Sequence, residues 1–163
     1  MLYKDKTFWL FITHEDHSFQ TNILDRTFKN EWLEISPDGV IKIIGSDNPE
    51  TGKGGYAWDG CSPKFGFLDL VIGTPDGVVD EQSEKPKTYF ASMVHDALYQ
   101  FGNETGVSRA EADQLFREML KEKNFKLWYI YYFAVRSLGS LFFGKDSMVR
   151  KRYSHLNVFQ DES

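Results

Sequence analysis

The chain is poor in the features that would classify it at once. It has one cysteine, Cys61, in 163 residues, so no internal disulfide can form and nothing points to an oxidising compartment. A reducing cytosol or a particle assembled inside a cell is the expected setting. Positive charge is not in excess: 19 Lys and Arg against 24 Asp and Glu give a formal net charge of −5, which removes any general attraction to nucleic acid or anionic membrane. Lys145, Arg150, Lys151 and Arg152 form a local basic cluster, read as part of a solvated, flexible tail over 141–163. Long apolar runs are missing too. Leu127 to Val135 is interrupted by Arg136, short of the roughly 20 apolar residues that a transmembrane helix needs. Met1 to Leu10 carries Lys4, Asp5 and Lys6 and no apolar stretch of signal-peptide length, so export by that route is not expected.

What is present fits one domain over 1–163, since a chain this long buries roughly 70% of its unfolded surface without metal or disulfide staples. The first part, 1–86, reads as strands and loops. Phe8 to Thr13 is a compact apolar run. Trp32 to Ile35 and Val40 to Ile44 flank Ser36-Pro37-Asp38-Gly39, a hairpin signature, because Pro presets the turn and Gly accepts positive φ. A second Pro-Asp-Gly at Pro75 to Gly77 follows Phe67 to Ile72, and Gly52 to Pro63 is a glycine-rich loop.

The stretch 87–140 reads as three helices. Thr88 to Phe101 has apolar residues at Ala91, Val94, Leu98 and Phe101, the spacing of one helical face. Ser108-Arg109-Ala110-Glu111 has the form of a capping box and opens a second helix reaching about Lys123, with Asn124 as its stop. A third helix runs from Phe125 to about Leu138, ending near Gly139. Aromatic residues make up 16% of the chain, and their concentration between Trp128 and Phe143 predicts a buried core helix, with an interfacial or partner-binding helix as the alternative. The fold class is therefore α+β: N-terminal antiparallel strands and loops packed on a C-terminal three-helix unit.

The chemistry concentrates at His95-Asp96-Ala97-Leu98-Tyr99 and at Ala112-Asp113-Gln114-Leu115-Phe116. Two helices joined by a short loop pack antiparallel, which sets Asp113 opposite the C-terminal half of the first helix. A carboxylate there needs a partner, since burying it unpaired costs several kcal/mol. His95 is the expected one. With one ring nitrogen bonded to Asp113, the other is left to take a proton from water, the geometry of a general base. Asp96, about 100° further round the helix, can then point its carboxylate at a cation while His95 points at the attacking water. His14 and His17 are expected to be exposed, and an HD-type phosphohydrolase reading that uses them is disfavoured by the strand-rich stretch before His95.

These motifs resemble secreted phospholipase A₂, and most closely the short viral form found in parvovirus capsids, where Ala-Asp-x-x-Phe follows His-Asp-x-x-Tyr at a comparable distance. The resemblance implies His95 as the base, Asp113 as the acid that orients it, Tyr99 as a supporting hydrogen bonder and Asp96 as a ligand of Ca²⁺. Where that family's loop reads Tyr-x-Gly-x-Gly, this chain has Tyr56-Ala57-Trp58-Asp59-Gly60-Cys61-Ser62-Pro63. A broader resemblance covers about residues 52 to 139. Trp58-Asp59-Gly60-x-Ser62-Pro63, Gly73 to Gly77, Ala91-Ser92-x-Val94-His95-Asp96-x-Leu98-Tyr99 and Ser108-Arg109-x-x-Ala112-Asp113-x-x-Phe116 look like a widespread family of uncharacterised phage and prophage proteins. That resemblance implies a phage-associated protein of the virion or host cytoplasm and adds Asp59 and Ser62 as supporting site residues.

Three functions stay open. The first is a metal-dependent ester hydrolase acting on lipid. The second is a virion structural or assembly protein, partnered by other virion proteins, in which His95 and Asp113 merely join two helices. The third is an accessory peptidoglycan hydrolase. Asp59-Gly60 could equally be a tight turn, and Cys61 lacks an adjacent activating base.

Overall fold

A computed structural model describes residues 11–50, 54–58, 80–85, 87–141 and 143. The strands are β1 (Phe11–Thr13), β2 (His17–Gln20), β3 (Phe28–Lys29), β4 (Leu33–Ile35), β5 (Val40–Ile43) and β6 (Tyr56–Trp58). The helices are α1 (Tyr89–Gln100), α2 (Gly102–Thr105), α3 (Arg109–Glu122) and α4 (Trp128–Leu138), and a 3₁₀ turn over Gly139–Leu141 follows. This is the expected α+β architecture, with antiparallel strands before a cluster of helices.

Both sheets are antiparallel. One pairs β1 with β6, and the other has the order β2-β5-β4-β3. The hairpin predicted from Ser36 to Gly39 joins β4 to β5: the Gly39 amide donates to Ser36 O at 3.0 Å and the Ser36 amide to Val40 O at 2.9 Å. Gly39 has φ +88, and a Cβ there would stand 2.4 Å from Thr21 O, so no other residue fits this turn without rearrangement. Alternation then sorts the faces. Leu33, Ile35, Ile41 and Ile43 are buried, while Glu34 and Lys42 stand opposite one another on the outer face. Lys42 also pairs with Asp16 at 3.0 Å.

The apolar spacing of α1 predicts one buried face, whereas the helix is enclosed almost all round. Residues 91–100 are all buried, including Ser92, His95, Asp96 and Gln100. The cause is its position between two apolar clusters. Met93, Val94, Ala97 and Leu98 pack with Ile41, Ile43 and Trp58 on the sheet side. Ala91 joins Phe116, Leu120, Tyr131 and Val135 on the side of α3 and α4. An apolar face on a helix shows that one side is buried, and says nothing about what covers the polar side.

The capping box forms in full: Ser108 Oγ accepts from the Glu111 amide at 3.2 Å and the Ser108 amide donates to Glu111 Oε2 at 2.8 Å. Asn124 has φ +53, the left-handed conformation that ends helices, which is why α3 stops where expected. The short connection expected between the first two helices contains α2, closed by Gly106 at φ +73.

One expectation is corrected outright and another holds for one face only. His17 is half-buried: its Nε2 lies 2.9 Å from Thr13 Oγ1 and its ring contacts Phe90 at 5.4 Å, because β2 lays this edge on α1. His14 is exposed as expected. The aromatic helix α4 is amphipathic. Tyr131 and Val135, one turn apart, are buried against α3, whereas Tyr129 is 46% and Phe133 65% exposed on the opposite side. Arg117 and Lys121 sit over the Trp128 ring at 5.1 and 4.9 Å. Among the described residues no helix is long and apolar enough to cross a membrane. The strand expected from Phe8 is described only from Phe11. Phe67 to Gly77, most of the glycine-rich loop and the basic segment after Phe143 lie outside the described residues.

Candidate active site

Helix α1 presents His95 and Tyr99 one turn apart, the spacing that aligns two side chains on a helix surface. Their rings lie 4.1 Å apart between centroids. Helix α3 supplies Asp113 and, one turn on, Phe116, whose ring lies 4.7 Å from the imidazole. The expected pairing is present: His95 Nε2 lies 2.8 Å from Asp113 Oδ1, and the Tyr99 hydroxyl donates to the same oxygen at 2.5 Å. The other carboxylate oxygen, Oδ2, accepts from Arg136 Nη1 at 3.0 Å and has Arg109 Nη1 at 3.7 Å. Arg109 also donates to the carbonyl of Arg136 at 2.9 Å, which ties the start of α3 to the end of α4.

Asp113 has no exposed surface and His95 only 5%. Burial alone would push the carboxyl of Asp113 up, yet the hydrogen bond and charge of His95, with the bonds from Tyr99 and Arg136, hold it below the usual carboxylate range. Burial, reinforced by the hydrogen bond to the Asp113 carboxylate, pushes the Tyr99 hydroxyl well above its ordinary value. Tyr99 therefore stays a neutral donor. An ionised Asp113 can only accept, so His95 Nε2 must carry the proton in this contact, and in the neutral ring Nδ1 holds the lone pair. The direction of the imidazole is thus set by three elements of structure.

Gly139 completes the mount for a reason of space. A Cβ there would come 2.2 Å from the Tyr99 hydroxyl, so the end of α4 can close over Tyr99 only as glycine. Trp58, at the end of β6, is fully buried against α1 and donates from Nε1 to Ser92 Oγ at 3.1 Å. Ser92 in turn donates to Tyr89 O at 3.0 Å. The Trp and Ser of the motifs are therefore joined, one turn of α1 before His95.

The remaining predicted site residues separate from this group. Asp96 is buried, 6% exposed, and engaged in interactions of its own; it does not bond Asp113. Asp59 and Ser62 lie outside the described residues. Among the described residues no three His, Cys, Asp or Glu side chains come together in a way that could hold a metal ion. Ca²⁺ takes six to eight oxygen ligands; the Asp113 carboxylate is taken up by His95, Tyr99 and Arg136 and Asp96 has interactions of its own, so the described residues do not by themselves fit this ion.

Arg109, Arg136 and Gly139 were not anticipated. Two weak signals were available: Arg136 is the only charge within an otherwise apolar and aromatic helix, and Arg109 precedes Asp113 by one turn. Residues 76–135 match the family described as a protein of unknown function (DUF1353). The match takes in His95, Tyr99, Arg109 and Asp113 and stops one residue before Arg136. It is a similarity to an uncharacterised family, and it carries no activity with it. No curated protein and no solved structure matches the chain.

Proposed function

We propose that this is a phage-associated protein with a phospholipase A₂-like hydrolytic site, in which His95 is the general base toward a water that attacks an ester carbonyl. One observation carries the reading: His95 Nε2 is bound to a fully buried Asp113 that Tyr99 and Arg136 hold from other sides. Such a ring cannot turn, and Nδ1 is the nitrogen left to receive the proton of water. Asp113 then stabilises the imidazolium that forms, a contribution of about 10² to 10⁴ in rate for a positioned base. The resemblance implies a Ca²⁺ site with Asp96 among its ligands; the described residues alone do not hold that ion, and the roles of His95 and Asp113 do not depend on it.

A second reading is favoured by the saturation of Asp113. Its two oxygens face His95, Tyr99, Arg136 and Arg109, a closed network able to weld three helices in a virion structural or assembly protein with no reaction at all.

Fatty-acid release from phosphatidylcholine and phosphatidylglycerol vesicles, with Ca²⁺ and with chelator, separates the two. In His95→Gln the amide can still donate to Asp113, but no basic nitrogen remains. The hydrolase reading expects release by the native chain, dependent on Ca²⁺, and a fall of at least 100-fold in His95→Gln with little change in melting temperature. Equal release by both, or none by the native chain, sinks it. Loss of turbidity in a cell-wall suspension without lipid cleavage would move the substrate to peptidoglycan.

A further inference from the structure

The side of α3 turned away from the site borders a groove of about 510 Å³, whose other wall is β2. Strand β2 is an edge: among the described residues it pairs only with β5. The Thr21 amide donates to Gly39 O at 3.0 Å, so the alternation of an antiparallel ladder turns the amides of Phe19 and His17 toward β5. Those of Ser18 and Gln20, with their carbonyls, point away from the sheet, and both residues are exposed. Across the groove, Leu115 and Met119 give an apolar floor, and Leu24, 52% exposed, stands beside it. The rim carries Glu118 and Glu122, and among the described residues no Lys, Arg or His lines the groove.

We propose that this groove binds an extended basic segment of a partner protein, which adds to the sheet as a strand beside β2. Backbone hydrogen bonds to Ser18 and Gln20 supply the docking, because an open strand edge is a template for another chain. Alternate side chains of an added strand point to opposite faces; in the set turned toward α3, the aliphatic stems of Lys or Arg cover Leu115 and Met119 while their charged ends reach Glu118 and Glu122. The wall from Leu115 to Glu122 is roughly 10 Å long at 1.5 Å per helical residue, matching three or four extended residues. Nothing in this proposal depends on His95 being a base.

The probe is acetyl-Lys-Val-Lys-Val-Lys-amide, with the Glu-Val-Glu-Val-Glu peptide as its charge-reversed control, titrated against the full chain by NMR. Binding should slow amide exchange at Ser18 and Gln20, weaken with salt and be absent for the acidic peptide. Glu118→Lys combined with Glu122→Lys should weaken it at least tenfold. Ser18→Pro should do the same with the melting point kept, because it removes only an outward amide and proline is tolerated on edge strands; the charge variant stands independently of it. The proposal is overturned by equal binding of the acidic peptide, by affinity unchanged in both variants, or by no binding at millimolar peptide. It is also overturned if the Ser18 and Gln20 amides are already protected before peptide is added, since the edge is then held by another segment of this chain or a second copy.

Discussion

The two sides of α1 are stabilised in opposite ways. Toward the sheet, Met93, Val94, Ala97 and Leu98 meet Ile41, Ile43 and Trp58 in apolar, replaceable contacts, with the Trp58–Ser92 hydrogen bond as the exception. Toward α3 and α4, His95 and Tyr99 meet Asp113, Arg109 and Arg136, and each contact depends on the others. Apolar packing degrades gradually as volume is lost. A buried polar network fails abruptly when one member leaves, since the remaining groups keep their desolvation cost and lose their partner. A helix can therefore be tightly held on both sides while only one side fixes the direction of a ring.

Asp113→Ala is the sharpest way to break that comparison. It should cost about 3 kcal/mol, the low end for a broken buried pair because Arg109 and Arg136 retain some contact with solvent. On the sheet side the volume-conserving Leu98→Met should cost less than about 1.5 kcal/mol. Chemical denaturation of both variants checks the contrast, and equal losses would remove it.

Gly139→Ala should have the next largest effect. Its methyl group would displace the Tyr99 hydroxyl from Asp113, at about 1–3 kcal/mol for overpacking. A near-neutral result would mean that the end of α4 shifts easily and that Tyr99 is not clamped.

Acid unfolding gives a smaller and directional effect. The folded-state carboxyl of Asp113 lies below its ordinary value, so its contribution is complete above the unfolded value near 3.9 and is lost as pH falls through the folded one. In Asp113→Asn that component is missing, and stability should fall less steeply with acid below about pH 4 than in the native chain. Asp16 is lowered to about 2: burial raises its carboxyl, but hydrogen bonds from Ser46 and the side chain and charge of Lys42 outweigh it. Its share of the acid limb should persist in the Asp113 variant.

Much of this arrangement was legible in the sequence where local chemistry decides. Pro37-Asp38-Gly39 specifies a turn, Ser108 and Glu111 specify a helix start, and Asn124 accepts a left-handed stop. The pairing of His95 with Asp113 also followed, because a short connection forces two helices antiparallel and a buried carboxylate must find a donor. The short strands β2 and β3 did not follow. His17 to Gln20 has no clear apolar alternation, and its strand state comes from pairing with β5. Arg136 and Gly139 escaped for a related reason: their roles exist only once α4 closes over Tyr99, whereas Arg109 left the weak local signal of a pair one turn apart with Asp113. Trp128 to Phe133 was legible only in part, since aromatic density measures how much surface a helix could bury: α4 buries Tyr131 in the core and leaves Tyr129 and Phe133 outside.

The way the imidazole of His95 is held separates a general base from a merely structural pair. The most direct measurement is long-range ¹H–¹⁵N NMR of its ring in the native chain and in Asp113→Asn, in mildly alkaline buffer. The predicted result is a neutral ring protonated at Nε2, with Nδ1 bare and with the tautomer balance disturbed in the variant. A ring protonated at Nδ1, or a ring unaffected by Asp113→Asn, would contradict it.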